Sequence, residues 1–212
     1  MSRCVIFCAA QMALPPFPLE TGDVIIAADG GLRHTQALGL TPDVILGDFD
    51  SLGYVPENAS VFPVEKDDTD AMLAIRRGLS MGCREFLLYG ALDGDRLDHT
   101  LANIQALHFL ASEHCTGCLV GDRSILTILP AGQTLVFPET ARGIVSVFCF
   151  GAKAEGVHLE GLQYPLENGV LTPDCPLGVS NHFQDRKARI TLSGGCLTVL
   201  WDRSCGFPQR LF

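Results

Sequence analysis

Two short stretches of this chain are dense in aspartate, Gly47-Asp48-Phe49-Asp50-Ser51 and Lys66-Asp67-Asp68-Thr69-Asp70, and the first closes the apolar run Val44-Ile45-Leu46. Side chains of a strand alternate between its faces, so an Asp-x-Asp at a strand end sets Asp48 and Asp50 on one side and Phe49 on the other. Two carboxylates held together repel unless one stays protonated or a cation sits between them. Hard oxygen ligands suit a divalent cation, and beside phosphates the usual choice is Mg²⁺. The pattern reads as a holder for a metal-bound polyphosphate, with Lys66 placed to face a phosphate.

A third element supports this reading. In Gly90-Ala91-Leu92-Asp93-Gly94-Asp95-Arg96-Leu97-Asp98-His99, glycines allow close approach to phosphate oxygens. The helix that follows offers its amino end, and Arg96 can make a forked contact.

The elements that must position these residues follow from periodicity. Buried parallel strands are predicted at Cys4 to Cys8, Val24 to Ala27, Val44 to Leu46, Glu85 to Tyr89 and Cys118 to Val120. Helices are predicted over Gly30 to Leu38, over Thr69 to Met81 with Met72, Leu73, Ile75 and Leu79 as its apolar set, and over Asp98 to Ala111 with Leu101, Ile104, Leu107 and Leu110. Alternating strands and helices imply an open parallel sheet with flanking helices, in which ligands bind beyond the carboxyl ends of the strands. Asp29-Gly30-Gly31, Asp48 with Asp50, and Gly90 to Asp98 all follow strands and so fall on one edge. Asp67 or Asp68 is expected to cap the helix carrying Asp70.

From about Ala131 the pattern changes. Leu135 to Phe137, Ile144 to Phe150, Val157 to Leu159, Ile190 to Leu192 and Cys196 to Trp201 are short β-type runs separated by Gly, Pro and Asn. The fold class read from the chain is therefore α/β: an amino-terminal open parallel sheet over residues 1–130, followed by a smaller all-β sandwich domain over 131–212.

Composition narrows the function further. A net charge of -9 argues against nucleic-acid binding, yet 12 of the 24 acidic residues lie between Asp43 and Asp98, so the acidity is concentrated where the chemistry is expected. No apolar run reaches the roughly 20 residues that span a bilayer. The opening Met1 to Ala10 imitates a secretory leader but reads better as a first buried strand. Nine cysteines with no paired spacing favour reduced thiols in a cytoplasmic protein, Cys115 and Cys118 included.

Taken in order, Asp29-Gly30-Gly31, Gly47 to Ser51, Lys66 to Asp70, Arg96-Leu97-Asp98-His99 with Asn103, and the late Gly178-Val179-Ser180-Asn181 resemble the thiamine pyrophosphokinase family across nearly the whole chain. The resemblance implies transfer of diphosphate from ATP, as co-substrate, to the hydroxyl of thiamine, giving thiamine diphosphate and AMP. It also implies a homodimer with active sites between subunits. By the same resemblance Asp48, Asp50 and Asp70 would hold Mg²⁺, and Arg96 and Asp98 would line the pocket. Asp29, Gly30, Gly31, Lys66, Asp67, Thr69, His99 and Asn103 would serve the nucleotide. Tyr164, where the family usually has a larger ring, would pack on the cationic substrate, with Ser180 and Asn181 as its hydrogen-bonding partners. The chain departs from the family pattern in a Gly90 to His99 loop one residue longer, with Asp95 before Arg96, and in Cys8-Ala9-Ala10 where a glycine pair is common.

Two other classes fit parts of the chain. Asp48-Phe49-Asp50 also resembles the nucleophile motif of haloacid-dehalogenase-like phosphatases, in which Asp48 would be phosphorylated. A non-catalytic thiamine or nucleotide sensor would keep Tyr164 and Ser180 but not need Asp48, Asp50 and Asp70. Asp98 is the candidate general base.

Overall fold

The run Arg3-Cys4-Val5-Ile6-Phe7 has no polar residue after Arg3, which suits a strand covered on both faces, and Cys4 to Phe7 are fully buried. The computed structural model describes residues 2–65 and 67–212. The chain divides into two compact units, Met1–Asp122 and Arg123–Phe212.

In the first unit, strands β1 (Arg3–Phe7), β2 (Val24–Ala28), β3 (Val44–Gly47), β4 (Ser60–Val61), β5 (Glu85–Tyr89) and β6 (Thr116–Val120) form a parallel array in the order β6-β5-β1-β2-β3-β4. The order reverses between β1 and β5. At such a switch point the loops leaving neighbouring strands diverge and open a crevice for ligands.

Helices α1 (Leu32–Ala37), α2 (Asp70–Ser80) and α3 (Leu97–Ser112) connect the strands. The inward faces differ from the expected apolar sets. In α2 the buried residues are Ala71, Ala74, Ile75 and Gly78. Small residues let the helix lie close to the sheet: a Cβ on Gly78 would stand 2.7 Å from Phe86 Cε1 and 2.9 Å from Cys4 Sγ. In α3 the buried set is Asn103, Ala106, Leu107 and Leu110, while Leu101 is exposed. The buried set has i, i+3, i+4, i+7 spacing, with Asn103 and Ala106 in place of the expected Leu101 and Ile104. Thr69 caps α2, its Oγ1 accepting from Met72 N at 3.2 Å; the expected caps do other things, Asp68 pairing with Arg76 at 2.8 Å and Asp67 standing exposed.

The second unit carries two antiparallel sheets. One has the order β12 (Asn181–His182), β9 (Ile144–Phe148), β14 (Cys196–Asp202), β7 (Ser124–Pro130). The other runs β11 (Leu166–Leu171), β10 (Ala154–Glu160), β13 (Ala188–Thr191), β8 (Thr134–Phe137), β15 (Gln209–Leu211). Phe137 of the second sheet meets Trp201 of the first edge-on, with ring centroids 5.5 Å apart, and Trp201 Nε1 donates to Gly206 O at 2.8 Å. Burying that ring while satisfying its N–H is what makes a tryptophan usable in a core. Strand β7 lies before the expected change of pattern at 131, but it pairs with β14 in the second unit.

None of the nine cysteines is in a disulfide. Among the described residues no helix is long and apolar enough to cross a membrane.

Candidate active site

Chain reversal at the end of β3 gathers the acids. The strand stops at Gly47, so Asp48 and Asp50 do not share a strand face as the pleat predicts. Instead Phe49 adopts φ 61° and turns its ring into the core, 2 % exposed, and Asp50 N donates to Asp48 Oδ1 at 3.3 Å. A bulky residue in the left-handed region costs about 1–3 kcal/mol, so burial of the ring must hold the turn. Gly47 brings this turn against the end of β2: a Cβ there would lie 2.9 Å from Asp29 Cα.

Asp29, also left-handed at φ 47°, thereby joins the pair. Carboxylate oxygens of Asp29, Asp48 and Asp50 all lie within 4.8 Å of one another. Asp29 is 8 % exposed; its Oδ2 accepts from Ser51 Oγ at 2.7 Å, and its buried Oδ1 has no hydrogen-bond partner among the described residues. A buried carboxylate oxygen without a donor is costly, and a cation between the three acids removes that cost. The donor set, all carboxylate oxygen, is that of a hard divalent ion. These residues fit Mg²⁺.

Beside the cluster, at the β1/β5 switch point, lies a pocket of about 510 Å³, within the range of nucleotide-sized sites. Asp29, Asp70, Arg96, His99 and Asn103 line it, with Thr69 and Asp68 at the start of α2. Residues 8–11, after β1, form one wall, and Gly90, Ala91, Gly94, Asp95 and Arg96, after β5, form another. Cys8, on the first wall, has its thiol pushed up to about 12, chiefly by burial and then by the charge of Asp70. It stays neutral at physiological pH and is no nucleophile.

Other expected residues are placed differently. Gly30 and Gly31 are buried and outside the pocket lining; a Cβ on Gly31 would overlap Phe7 O, so its missing side chain serves close packing of chain against chain. Asn103 lines the pocket but spends its Nδ2 on Ala91 O at 2.8 Å, anchoring the loop after β5. Asp98 stands outside the lining and pairs with Arg96, Nε to Oδ1 at 3.1 Å and Nη2 to Oδ2 at 2.5 Å. That guanidinium fork lowers the Asp98 carboxyl to about 2, which makes it a poor general base. Lys66 lies outside the described residues.

In the second unit, Tyr164 is 60 % exposed. Buried Asn181 brackets its backbone: Asn181 Oδ1 accepts from Tyr164 N at 2.9 Å and from His182 N at 2.9 Å, and Nδ2 donates to Tyr164 O at 2.7 Å. Ser180, at φ 58°, donates its N–H to Ser146 Oγ at 3.0 Å. An exposed ring is thus fixed at its base by an amide that makes three hydrogen bonds.

Two family models match the chain: "Thiamin pyrophosphokinase, catalytic domain" over residues 19–119 and "Thiamin pyrophosphokinase, vitamin B1 binding domain" over residues 133–197. The chain belongs to the thiamine pyrophosphokinase family. It is 26% identical over 183 residues to the thiamine pyrophosphokinase of Bacillus subtilis, covering 82% of this chain and 85% of that protein. The crystal structure of thiamine pyrophosphokinase from the same organism has a TM-score of 0.79 at 22% identity, with 94% of this chain and 98% of that chain covered. The enzyme from Geobacillus thermodenitrificans gives 0.78 at 24% identity, covering 97% and 100%. Family membership makes this chain an enzyme of thiamine diphosphate formation.

Within that family assignment, the acidic cluster and every pocket-lining residue except those of the first wall, 8–11, fall in the span of the catalytic model, and Tyr164, Ser180 and Asn181 in that of the vitamin-binding one. Ser51 is a residue whose role was not legible: it stands inside the aspartate motif, but only the tertiary contact shows that it orients Asp29. Asp29 itself carries a nucleotide role in the sequence reading and a place among the acids here.

Proposed function

We propose that the enzyme transfers diphosphate from ATP to the hydroxyl of thiamine, releasing AMP, and depends on Mg²⁺. The observation that carries this is the triad Asp29, Asp48 and Asp50, with the donor-less Asp29 Oδ1, beside a nucleotide-sized pocket at the switch point. Asp29, Asp48 and Asp50 would hold the cation; Asp70 lies outside that cluster but lines the pocket from the start of α2, where it would meet the polyphosphate only through a cation. When bound, the cation neutralises charge on the polyphosphate so that an alcohol oxygen can approach phosphorus.

The chain's own residues do the rest. The hydroxyl oxygen of thiamine bonds to the β-phosphorus, the bond from that phosphorus to the oxygen bridging to the α-phosphate breaks, AMP departs with the electron pair, and the hydroxyl proton ends on solvent. The amino end of α2, capped by Thr69, and the guanidinium of Arg96 offer donors to the phosphates. Arg96 must first give up its exposed partner Asp98. Tyr164 offers its exposed ring to the thiazolium. Here Asn181 would support the ring from below, while Ser180, exposed beside it, would hydrogen-bond the substrate. Orientation and fixed charges supply most of the rate in such transfers.

Family membership weighs against the phosphatase and sensor readings. The family resemblance also carries the homodimer: sedimentation should give twice the 22.8 kDa chain mass, and a monomer at micromolar concentration would contradict it. Incubation with ATP, Mg²⁺ and thiamine should yield AMP and thiamine diphosphate in equal amounts. Formation of ADP, or of free phosphate alone, would exclude the transfer.

A further inference from the structure

The segment between β1 and β2 is long and carries Pro15, Pro16 and Pro18, yet it is pinned at several points. Phe17 N donates to Tyr89 Oη at 3.1 Å, and Arg3 reaches Pro18 O, Glu20 and Asp23. Nearest the pocket, the carboxylate of Asp122, two residues beyond β6, accepts from two successive amides, Ala13 N at 2.9 Å and Leu14 N at 2.9 Å. Asp122 is held in turn by the facing wall: its own N–H donates to Asp93 Oδ2 at 2.5 Å. Gly121 makes room for this, since a Cβ there would overlap the Asp93 carboxylate.

Asp93 belongs to the loop that carries Arg96 and leads into α3 with His99, and residues 13 and 14 lie just beyond the wall formed by residues 8–11. At their base the two walls are already joined, Ala10 N donating to Gly90 O at 3.0 Å, and Ala10 packs so closely on Gly94 that a Cβ there would stand 3.0 Å away. Farther out, the chain Asp93, Asp122, Ala13 and Leu14 makes a second tie. Two carboxylates near a polyphosphate would repel it, but each of these accepts backbone N–H donors that offset its charge. Their position is explained by geometry, not by contact with a ligand: neither lines the pocket.

We propose that Asp122 is a positioning residue for the nucleotide: through Asp93 on one side and the amides of Ala13 and Leu14 on the other, it sets the separation of the two pocket walls. This rests on the reading of that pocket as the nucleotide site. Removing the tie should let the walls drift, weakening nucleotide binding while leaving thiamine binding and the chemical step nearly unaltered.

The test compares Asp122→Ala, Asp93→Ala and the double variant. Each single change should raise the KM for ATP at least fivefold, with kcat and the KM for thiamine within twofold of the parent. Because the two residues form one tie, the double variant should lose no more than the worse single one. Amide hydrogen exchange at Ala13 and Leu14 should quicken in Asp122→Ala, a readout that holds even in a poorly active variant. Gly94→Trp, which fills the pocket, provides the separate check. If it leaves ATP affinity unchanged, the nucleotide reading of the pocket is wrong. If it abolishes ATP binding while Asp122→Ala leaves the ATP KM unchanged, or lowers kcat and both KM values indiscriminately, or if the two single losses simply multiply, the positioning role is wrong.

Discussion

The acidic rim of the first unit and the Tyr164 corner of the second solve opposite problems. At the rim, three carboxylates crowd together on a backbone with two non-glycine residues in the left-handed region, and a buried oxygen of Asp29 lacks a donor. At the corner, the Asn181 amide makes three hydrogen bonds and the ring it supports stands in solvent. One region is left electrostatically incomplete by folding, as a cation site must be; the other is completed by folding, as a rigid stacking platform must be. Their substitutions should therefore differ in kind. At the rim function is lost and stability is not, whereas beneath the ring both are lost.

The largest effect expected is on turnover. Asp48→Asn or Asp50→Asn should lower kcat by roughly a hundredfold or more at saturating Mg²⁺, on the scale of removing a group that stabilises transition-state charge. The melting temperature should stay level or rise, because neutral Asn relieves repulsion. A drop in melting temperature with activity retained would erase the contrast. Next, Asn181→Ala should destabilise the protein by about 1 kcal/mol, since it leaves the part-buried amides of Tyr164 and His182 without their acceptor, and urea unfolding would measure it. Tyr164→Ala should raise the KM for thiamine up to about tenfold, the value of a partly exposed cation–π contact, with stability unchanged. Tyr164→Phe should differ little from the parent. If the alanine variant binds thiamine normally, the ring is not the platform.

A smaller effect concerns the pair at the pocket mouth. The Asp98 carboxyl is depressed to about 2, first by its hydrogen bonds from Arg96. A depressed carboxyl favours the folded state above its unfolded value and loses that contribution as pH falls from about 4 toward 2. Because both groups are exposed, the gain in stability should be negligible, and the informative measurement is an NMR titration of the Asp98 side chain. Arg96→Ala should return its midpoint to the ordinary range. Saturating Mg·ATP should do the same if Arg96 leaves Asp98 for the polyphosphate; an unmoved midpoint would remove Arg96 from phosphate binding.

Much of the fold could be read from the chain because apolar runs such as Val5-Ile6-Phe7 and Phe86-Leu87-Leu88 have no other use than a doubly covered strand. Helix existence was equally plain, but facing was not: Leu101 is more apolar than Asn103, yet Asn103 is buried because its amide holds Ala91 O. Strand β11 escaped notice because Glu167, Asn168 and Gly169 give an edge strand no alternation. Strand β7 lies ahead of the change in composition, and only its pairing with β14 assigns it to the second unit.

At the site, the sequence marked the aspartates but not how they meet. Asp48 and Asp50 converge through a turn with Phe49 reversed, not through strand pleating, and Asp29 joins them because Gly47 permits close approach of β3 to the end of β2. Both are tertiary facts that no spacing encodes. The bracket of Asn181 on Tyr164 is another.

The central claim is that Asp29, Asp48 and Asp50 together bind the divalent ion on which diphosphate transfer depends. Titration with Mn²⁺ in the presence of ATP, followed by electron paramagnetic resonance, tests it most directly. The parent should hold the ion on the enzyme, and Asp29→Asn and Asp48→Asn should each weaken that binding at least tenfold while the protein remains folded. Unchanged Mn²⁺ binding in both variants would contradict the account.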